Sequence, residues 1–377
     1  MKKLVVSTIF LMLFLAGCGK KSPEDLISKF SSSVEKSKAY VLKGNMEILS
    51  NEETYTYSLE ASYMQDDFYK VTLVNQTNNH EQIILKNKDG VYVVTRALNK
   101  SFKFQSEWPD SSSQSYILSS LVKDIKNDNE KTVEEQDKGY VIKTKVNYPN
   151  NSELSYQKIY FDKNMNLEKV EVYNSENIVN IKATFTNINL KANLEEREFA
   201  LENIIDTKTQ DNTDKNTENK DNSKAEENKN QSPNNPNENK TNNGKDSCTS
   251  GTCDNKTSNI IDSIIYPLYI PSSTYLSNSE KVDTDDGNRV ILTFAGEKNF
   301  TLIEEVANIS QEFEIIPVYG EPVMLSDTIA AKSANSMYWT SENINYYLTS
   351  NDLTTAEMVT IAESLGNAKT VSVNGAK

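Results

Sequence analysis

The chain has 377 residues, enough for two domains once a leader is set aside. Its 40 basic and 54 acidic residues leave a formal net charge of −14, which argues against nucleic acid as a partner and against adhesion to anionic lipid headgroups. A hydrophobic share of 37% falls below the usual globular share, so part of the chain is expected to lack a packed core.

The first element is a leader. Lys2 and Lys3 precede an apolar run from Leu4 to Ala16, too short for the roughly 20 apolar residues of a membrane-spanning helix. A signal peptide over residues 1–17 is the expectation. The closing Leu15-Ala16-Gly17-Cys18 resembles the lipobox of bacterial lipoproteins. That resemblance implies cleavage before Cys18, a diacylglycerol on its sulfur and an acylated (palmitate-type) N-terminus, together a firm membrane anchor. Secretion with Cys18 as a free thiol is the alternative.

Residues 22–205 form the first predicted domain. Ser22-Pro23-Glu24-Asp25 is a helix start, with a capping serine, proline at the first helical position and acids in the first turn. Leu26, Ile27, Phe30 and Val34 then share one face. After Lys38 the apolar period changes from 3.6 to 2: Tyr40, Leu42, Met46 and Ile48, then Tyr55, Tyr57, Leu59, Ala61 and Tyr63, then Tyr69, Val71 and Leu73. Strand-like pieces follow at 82–85, 91–95 and 101–105, with the Asn87-Lys88-Asp89-Gly90 turn among them. A second helix is predicted over about 116–126, with Ile117, Leu118, Leu121, Val122 and Ile125 on one side. Strands resume at 140–146, 154–161, 167–173 and 179–188. Strands in series with short turns imply a large antiparallel sheet, one face polar and the other covered by the two helices.

From Asp206 to Ser258 the chain has no Val, Ile, Leu, Met, Phe, Tyr or Trp. Residues 206–258 are therefore predicted to be a disordered Asn/Lys-rich linker spanning ~40 Å as a flexible coil. Within it, Cys248 and Cys253 can close a small local disulfide, free thiols being the alternative. Residues 259–377 form a second, smaller α+β domain. Strands are predicted at 289–294, within 296–306, and as a hairpin at 337–340 and 344–348. A final helix opens on a Thr354/Glu357 capping box, with Leu353 stapling to Met358.

Two segments carry a further resemblance. Ile159–Asn174 followed by Ile181–Phe199 resembles the closing strands of the LolA/LolB-like lipoprotein-carrier superfamily. That resemblance implies a mainly β, α+β fold: an unclosed antiparallel half-barrel with a helical lid over an apolar cavity. Residues 294–305 with 338–365 resemble the C-terminal domain of the sporulation-associated lipoprotein family typified by YdcC of spore-forming Firmicutes. The clostridial germination lipoprotein GerS is a relative with the LolA-like part alone.

Catalytic chemistry finds little to use. His80 is the only histidine, in the turn Asn78-Asn79-His80-Glu81, with an exposed loop histidine as its plain reading. No Gly-x-Ser-x-Gly elbow, phosphate loop or His-rich metal set occurs, so no enzyme activity, catalytic residue, metal or other cofactor is expected. Nineteen tyrosines, with Tyr55, Tyr57 and Tyr63 as candidates, either line the half-barrel cavity or form a protein-binding face. The resemblance implies a membrane-anchored, non-catalytic accessory module of sporulation or germination, on the extracytoplasmic face of the membrane. Its implied partner is a protein, a cortex peptidoglycan amidase. The alternatives are a LolA/LolB-like carrier with an apolar ligand in the half-barrel, or an RseB-like regulator of an anti-sigma factor.

Overall fold

The computed structural model describes residues 23–50, 53–206, 260–261, 263–285, 287–366 and 371–372. The predicted leader, Cys18, Cys248 and Cys253 lie outside the described residues, as does all of the predicted linker beyond Asp206. Helix α1 (Pro23–Glu35) buries Leu26, Phe30 and Val34, the predicted face. Six strands follow: β1 (Ala39–Ser50), β2 (Glu53–Met64), β3 (Phe68–Asn75), β4 (Glu81–Asn87), β5 (Gly90–Thr95) and β6 (Lys100–Phe104). Helix α2 (Leu118–Asn127) then leads into β7 (Thr132–Gln136), β8 (Gly139–Lys145), β9 (Leu154–Asp162), β10 (Leu167–Asn174) and β11 (Val179–Asn189). A short helix, α3 (Leu201–Asp206), closes this part.

The order across the sheet is β6-β5-β4-β3-β2-β1-β11-β10-β9-β8-β7, antiparallel throughout. Two meanders are therefore joined at one seam, where β1 meets β11 from Val41↔Asn189 to Ile48↔Ile181. The two ends of the sheet do not pair with each other, so the half-barrel is unclosed. Its inner face carries α1 and α2: Phe30 packs edge-on against Phe161 with centroids 4.9 Å apart. The start of α2 has no side-chain cap of its own. Instead Leu118 N–H donates to the Tyr40 hydroxyl at 3.2 Å, and the Tyr69 and Ser119 hydroxyls lie 3.2 Å apart. At its other end Asp128 accepts from Thr144 Oγ1 and from Lys145 N–H, tying the helix to β8.

The outer face is not uniformly polar. On β4 and β5 consecutive residues, Ile83, Ile84 and Leu85, then Val91 to Thr95, are buried on both sides. The cover on the outside is the segment ending in α3. Phe199 packs on Phe68 at 5.6 Å, and Asn87 and Arg96 donate to the carbonyls of Phe199 and Ile204.

The C-terminal part adds β12 (Ser263–Ile264), β13 (Thr274–Thr284), β14 (Gly287–Gly296), β15 (Phe300–Val306), β16 (Glu314–Val318), β17 (Gly320–Met324), β18 (Ile329–Ser333), β19 (Ser336–Ser341), β20 (Ile344–Thr349), helix α4 (Thr355–Gly366) and β21 (Val371–Ser372). Seven strands form a second antiparallel sheet, β13-β14-β15-β20-β19-β18-β17, and β12 pairs with β21. The α4 capping box is present: Thr354 N–H donates to Glu357 at 2.8 Å, and Glu357 N–H donates to Thr354 Oγ1 at 3.2 Å. Strand β16 stays out of that second sheet and pairs in parallel with β6, Glu314↔Lys100 to Val318↔Phe104, as the twelfth strand of the half-barrel sheet. Ile329 and Ala331 join the half-barrel's core, and Gln82 Oε1 accepts from Ile329 N–H at 2.8 Å. The two sheets thus share a joint.

Glu304, on β15, is fully buried. One carboxylate oxygen accepts from Ile265 N–H at 3.2 Å and the other has no partner. Burial pushes its pKa up from 4.5 to about 7. Between those values the folded chain keeps a proton that the unfolded chain has released, so stability falls as pH rises through this window and is lowest above it. The full effect is on the order of 3 kcal/mol. Glu304→Gln is expected to melt higher than the wild type at pH 8 and by much less at pH 5. Equal differences at both pH values, measured by thermal unfolding, would show that Glu304 titrates normally.

Candidate functional site

The pleat decides where each predicted tyrosine points. Tyr55, Tyr57, Leu59, Ala61 and Tyr63 alternate along β2 toward the helix-bearing face, because Leu59 and Ala61 belong to its core. Tyr57 is buried at 4% exposure and donates to the Ser326 carbonyl at 2.7 Å across the joint. It therefore offers no exposed surface, which corrects its place in a docking face. Tyr55 and Tyr63 are half-buried. Tyr55 donates to Glu53 at 2.9 Å, and Tyr63 stacks between Tyr40 and Tyr69, 5.0 Å from each. All three have phenols pushed up, first of all by burial. The inner tyrosines are packing groups that hold α2 and the joint.

His80 sits in the β3–β4 turn and is half-buried rather than exposed. Its Nε2 is out of water with no hydrogen-bond partner, and burial lowers its pKa against the opposing pull of Glu81. Among the described residues no group of three or more His, Cys, Asp and Glu is placed to hold a metal ion.

The outer face of β8, β9 and β10 carries a cluster that the sequence reading missed. Val170 and Val172 point into the core, so Lys169, Glu171 and Tyr173 point outward, as do Tyr156, Lys158 and Tyr160 on the neighbouring strand. Tyr156 and Tyr173 stack with centroids 4.8 Å apart at 6°. Glu171 accepts from the hydroxyls of Tyr160 and Tyr173 at 2.7 and 2.6 Å, and from Lys169 at 2.6 Å. Those donors hold its carboxyl below the usual range in spite of partial burial, and the same burial pushes Tyr160 up to about 12. Lys143 lies over Tyr156 at 4.1 Å, Lys169 over Tyr160 at 4.0 Å and Lys158 over Tyr173 at 4.9 Å. Three ammonium groups thus rest on three rings around one carboxylate. On a chain of net charge −14 this is a local cationic, aromatic platform with pre-ordered side chains. The signal for it was the alternation of Tyr156, Lys158 and Tyr160, readable only once β10 is known to lie beside β9. The arrangement suits recognition of an acidic protein surface. It offers no nucleophile paired with a base.

Residues 1–199 match a family model described as sporulation protein YdcC-like. The sporulation protein YdcC of Bacillus subtilis (strain 168) is 33% identical over 363 residues, covering 96% of both chains. Solved structures with similarity include the MucA/MucB complex of Pseudomonas aeruginosa, at 10% identity, 89% of this chain, 97% of that chain and a TM-score of 0.29. One chain of the structure of the CwlD amidase from Clostridioides difficile in complex with the GerS lipoprotein is matched at 17% identity, 45% of this chain, 96% of that chain and a TM-score of 0.21. A LolA superfamily protein of Nitrosomonas europaea is matched at 8% identity, 48% of this chain, 99% of that chain and a TM-score of 0.29.

Proposed function

Because the chain belongs to the sporulation protein YdcC-like family, we propose that it is an accessory protein of sporulation that binds another protein and catalyses nothing itself. The family membership, shared with a sporulation protein along nearly the whole of both chains, is the observation that carries this reading. The finer reading has three parts. Acyl chains on Cys18 anchor the protein to the extracytoplasmic face of a membrane. The partner is a cortex peptidoglycan amidase, whose action on the spore wall this protein supports. The platform of Lys143, Lys158 and Lys169 over Tyr156, Tyr173 and Tyr160 is the docking face, and it meets an acidic surface of the partner.

One capture experiment tests this reading. The wild-type chain, isolated from sporulating cells with its membrane, is expected to carry an amidase with it. Lys143→Glu with Lys158→Glu reverses two charges on an exposed face and is expected to lower that yield at least tenfold, since reversal at a complementary patch costs several kcal/mol. Cys18→Ala is expected to move the protein out of the membrane fraction. The reading fails if the charge-reversed chain holds the amidase as well as the wild type does, or if the purified chain cleaves peptidoglycan unaided.

A further inference from the structure

Where the half-barrel meets the second sheet, a cavity of about 290 Å³ remains open. Met46, Ile181, Leu325 and Ile329 supply an apolar floor, drawn from β1, β11 and the C-terminal half of the chain. Ser115, Asn180, Glu153 and Glu363 are among its polar lining, and no lysine, arginine or histidine lines any part of the cavity. Ser115 is 1% exposed and its Oγ has no partner in hydrogen-bonding geometry, although Tyr148 lies beside it; Asn180 Oδ1 is likewise buried without a partner. Both residues line the cavity, and buried polar atoms rarely stay unpaired.

The charge of a guest in the cavity follows from its surroundings. Glu363, on α4, takes one hydrogen bond from Ser326 Oγ at 3.2 Å and faces Glu153 from the half-barrel and Asp327 from the loop before β18. Burial first, then these two like charges, raise its pKa to about 7. Asp327 is itself raised by burial. Three carboxyl groups with no cation among them disfavour an anionic guest and favour a cationic one. An apolar cavity of about 150 Å³ holds benzene, so this one has room for about ten non-hydrogen atoms.

We propose that this cavity binds a small cationic amphiphile, its apolar stem on the floor and its ammonium head received by Glu363, Glu153 and the unpaired oxygens of Ser115 and Asn180. The site is separate from the lysine–tyrosine platform and needs no amidase, so the two readings stand or fall independently.

Titration calorimetry on the full chain with isosteric probes tests the proposal. At pH 8 octylammonium is expected to bind at least tenfold more tightly than 1-octanol, and octanoate is expected not to bind. Butylammonium, which carries the charge without the stem, is expected to bind at least tenfold more weakly. An alkylammonium stays charged across this range, so affinity for octylammonium is expected to rise several-fold from pH 6 to pH 8 as Glu363 ionises. Glu363→Gln is expected to weaken binding about tenfold and remove the pH dependence. Glu153→Gln, at an exposed position that leaves folding undisturbed, is expected to weaken it two- to threefold. Octanoate binding as well as octylammonium, butylammonium binding equally well, or no binding by any probe would overturn it.

Discussion

Gly44→Ala is expected to lower the melting temperature of the half-barrel by several degrees. Gly44 lies on β1 where the register with β11 shifts between Lys43 and Gly44. A Cβ built there falls inside contact distance of the Thr184 carbonyl oxygen and 3.0 Å from Phe185 Cα, both backbone atoms that cannot rotate away. Relief requires β11 to move off β1, at the seam joining the two meanders. Overpacking typically costs 1–3 kcal/mol, and a backbone clash belongs at the top of that range, about 3 kcal/mol. For a folded unit of this size that is roughly 6–12 °C in Tm. Ala61→Gly, on the neighbouring strand, serves as a reference for loss of one methyl. If Gly44→Ala melts within about 2 °C of the wild type, the seam is looser than described.

Tyr57→Glu is expected to unlock the two sheets. Tyr57 sends its hydroxyl to the Ser326 carbonyl in a buried joint, with Asp327 close enough to push the phenol up. A carboxylate in that place gains no cation and faces a second acid, and an uncompensated buried charge costs about 3–5 kcal/mol. Tyr57→Phe loses only the hydrogen bond, about 1 kcal/mol. Hydrogen exchange locates the damage. In Tyr57→Glu the amides of β17 and β18 are expected to lose protection before those of β8–β10, and Tyr57→Phe is expected to resemble the wild type. Uniform loss across the chain, or none, would contradict the joint's role.

That same tyrosine shows where the sequence was readable. Period-2 alternation placed Tyr55, Tyr57 and Tyr63 on one face of one strand, correctly, because pleat geometry is local. What covers the face was not readable, since Ser326 lies 269 positions away from Tyr57. Likewise the α1 face and the Thr354/Glu357 box were legible from three- and four-residue spacings. β16 was not: Glu-Ile-Ile-Pro-Val carries a proline, which only an edge strand tolerates, and its partner β6 is some two hundred residues upstream. β7 escaped because Thr-Val-Glu-Glu-Gln offers one apolar residue to alternate with. The lysine–tyrosine platform needed three strands in register before its residues became neighbours. Resemblance supplied the family but none of these side-chain contacts.

The β1–β11 seam also has a temporal side. β1 and its partner stand about 140 residues apart in the chain, so the first meander must wait, with one side of β1 unpaired, until β11 has been made and delivered. Closing so long a loop spends chain entropy before any contact rewards it, and topologies rich in distant pairings fold slowly, on the scale of milliseconds to seconds. During that interval β1 offers a twelve-residue template to any extended chain nearby. Crowding during biogenesis, more than heat afterwards, is then the hazard this protein meets, and its yield should depend on how fast nascent chains arrive beside one another.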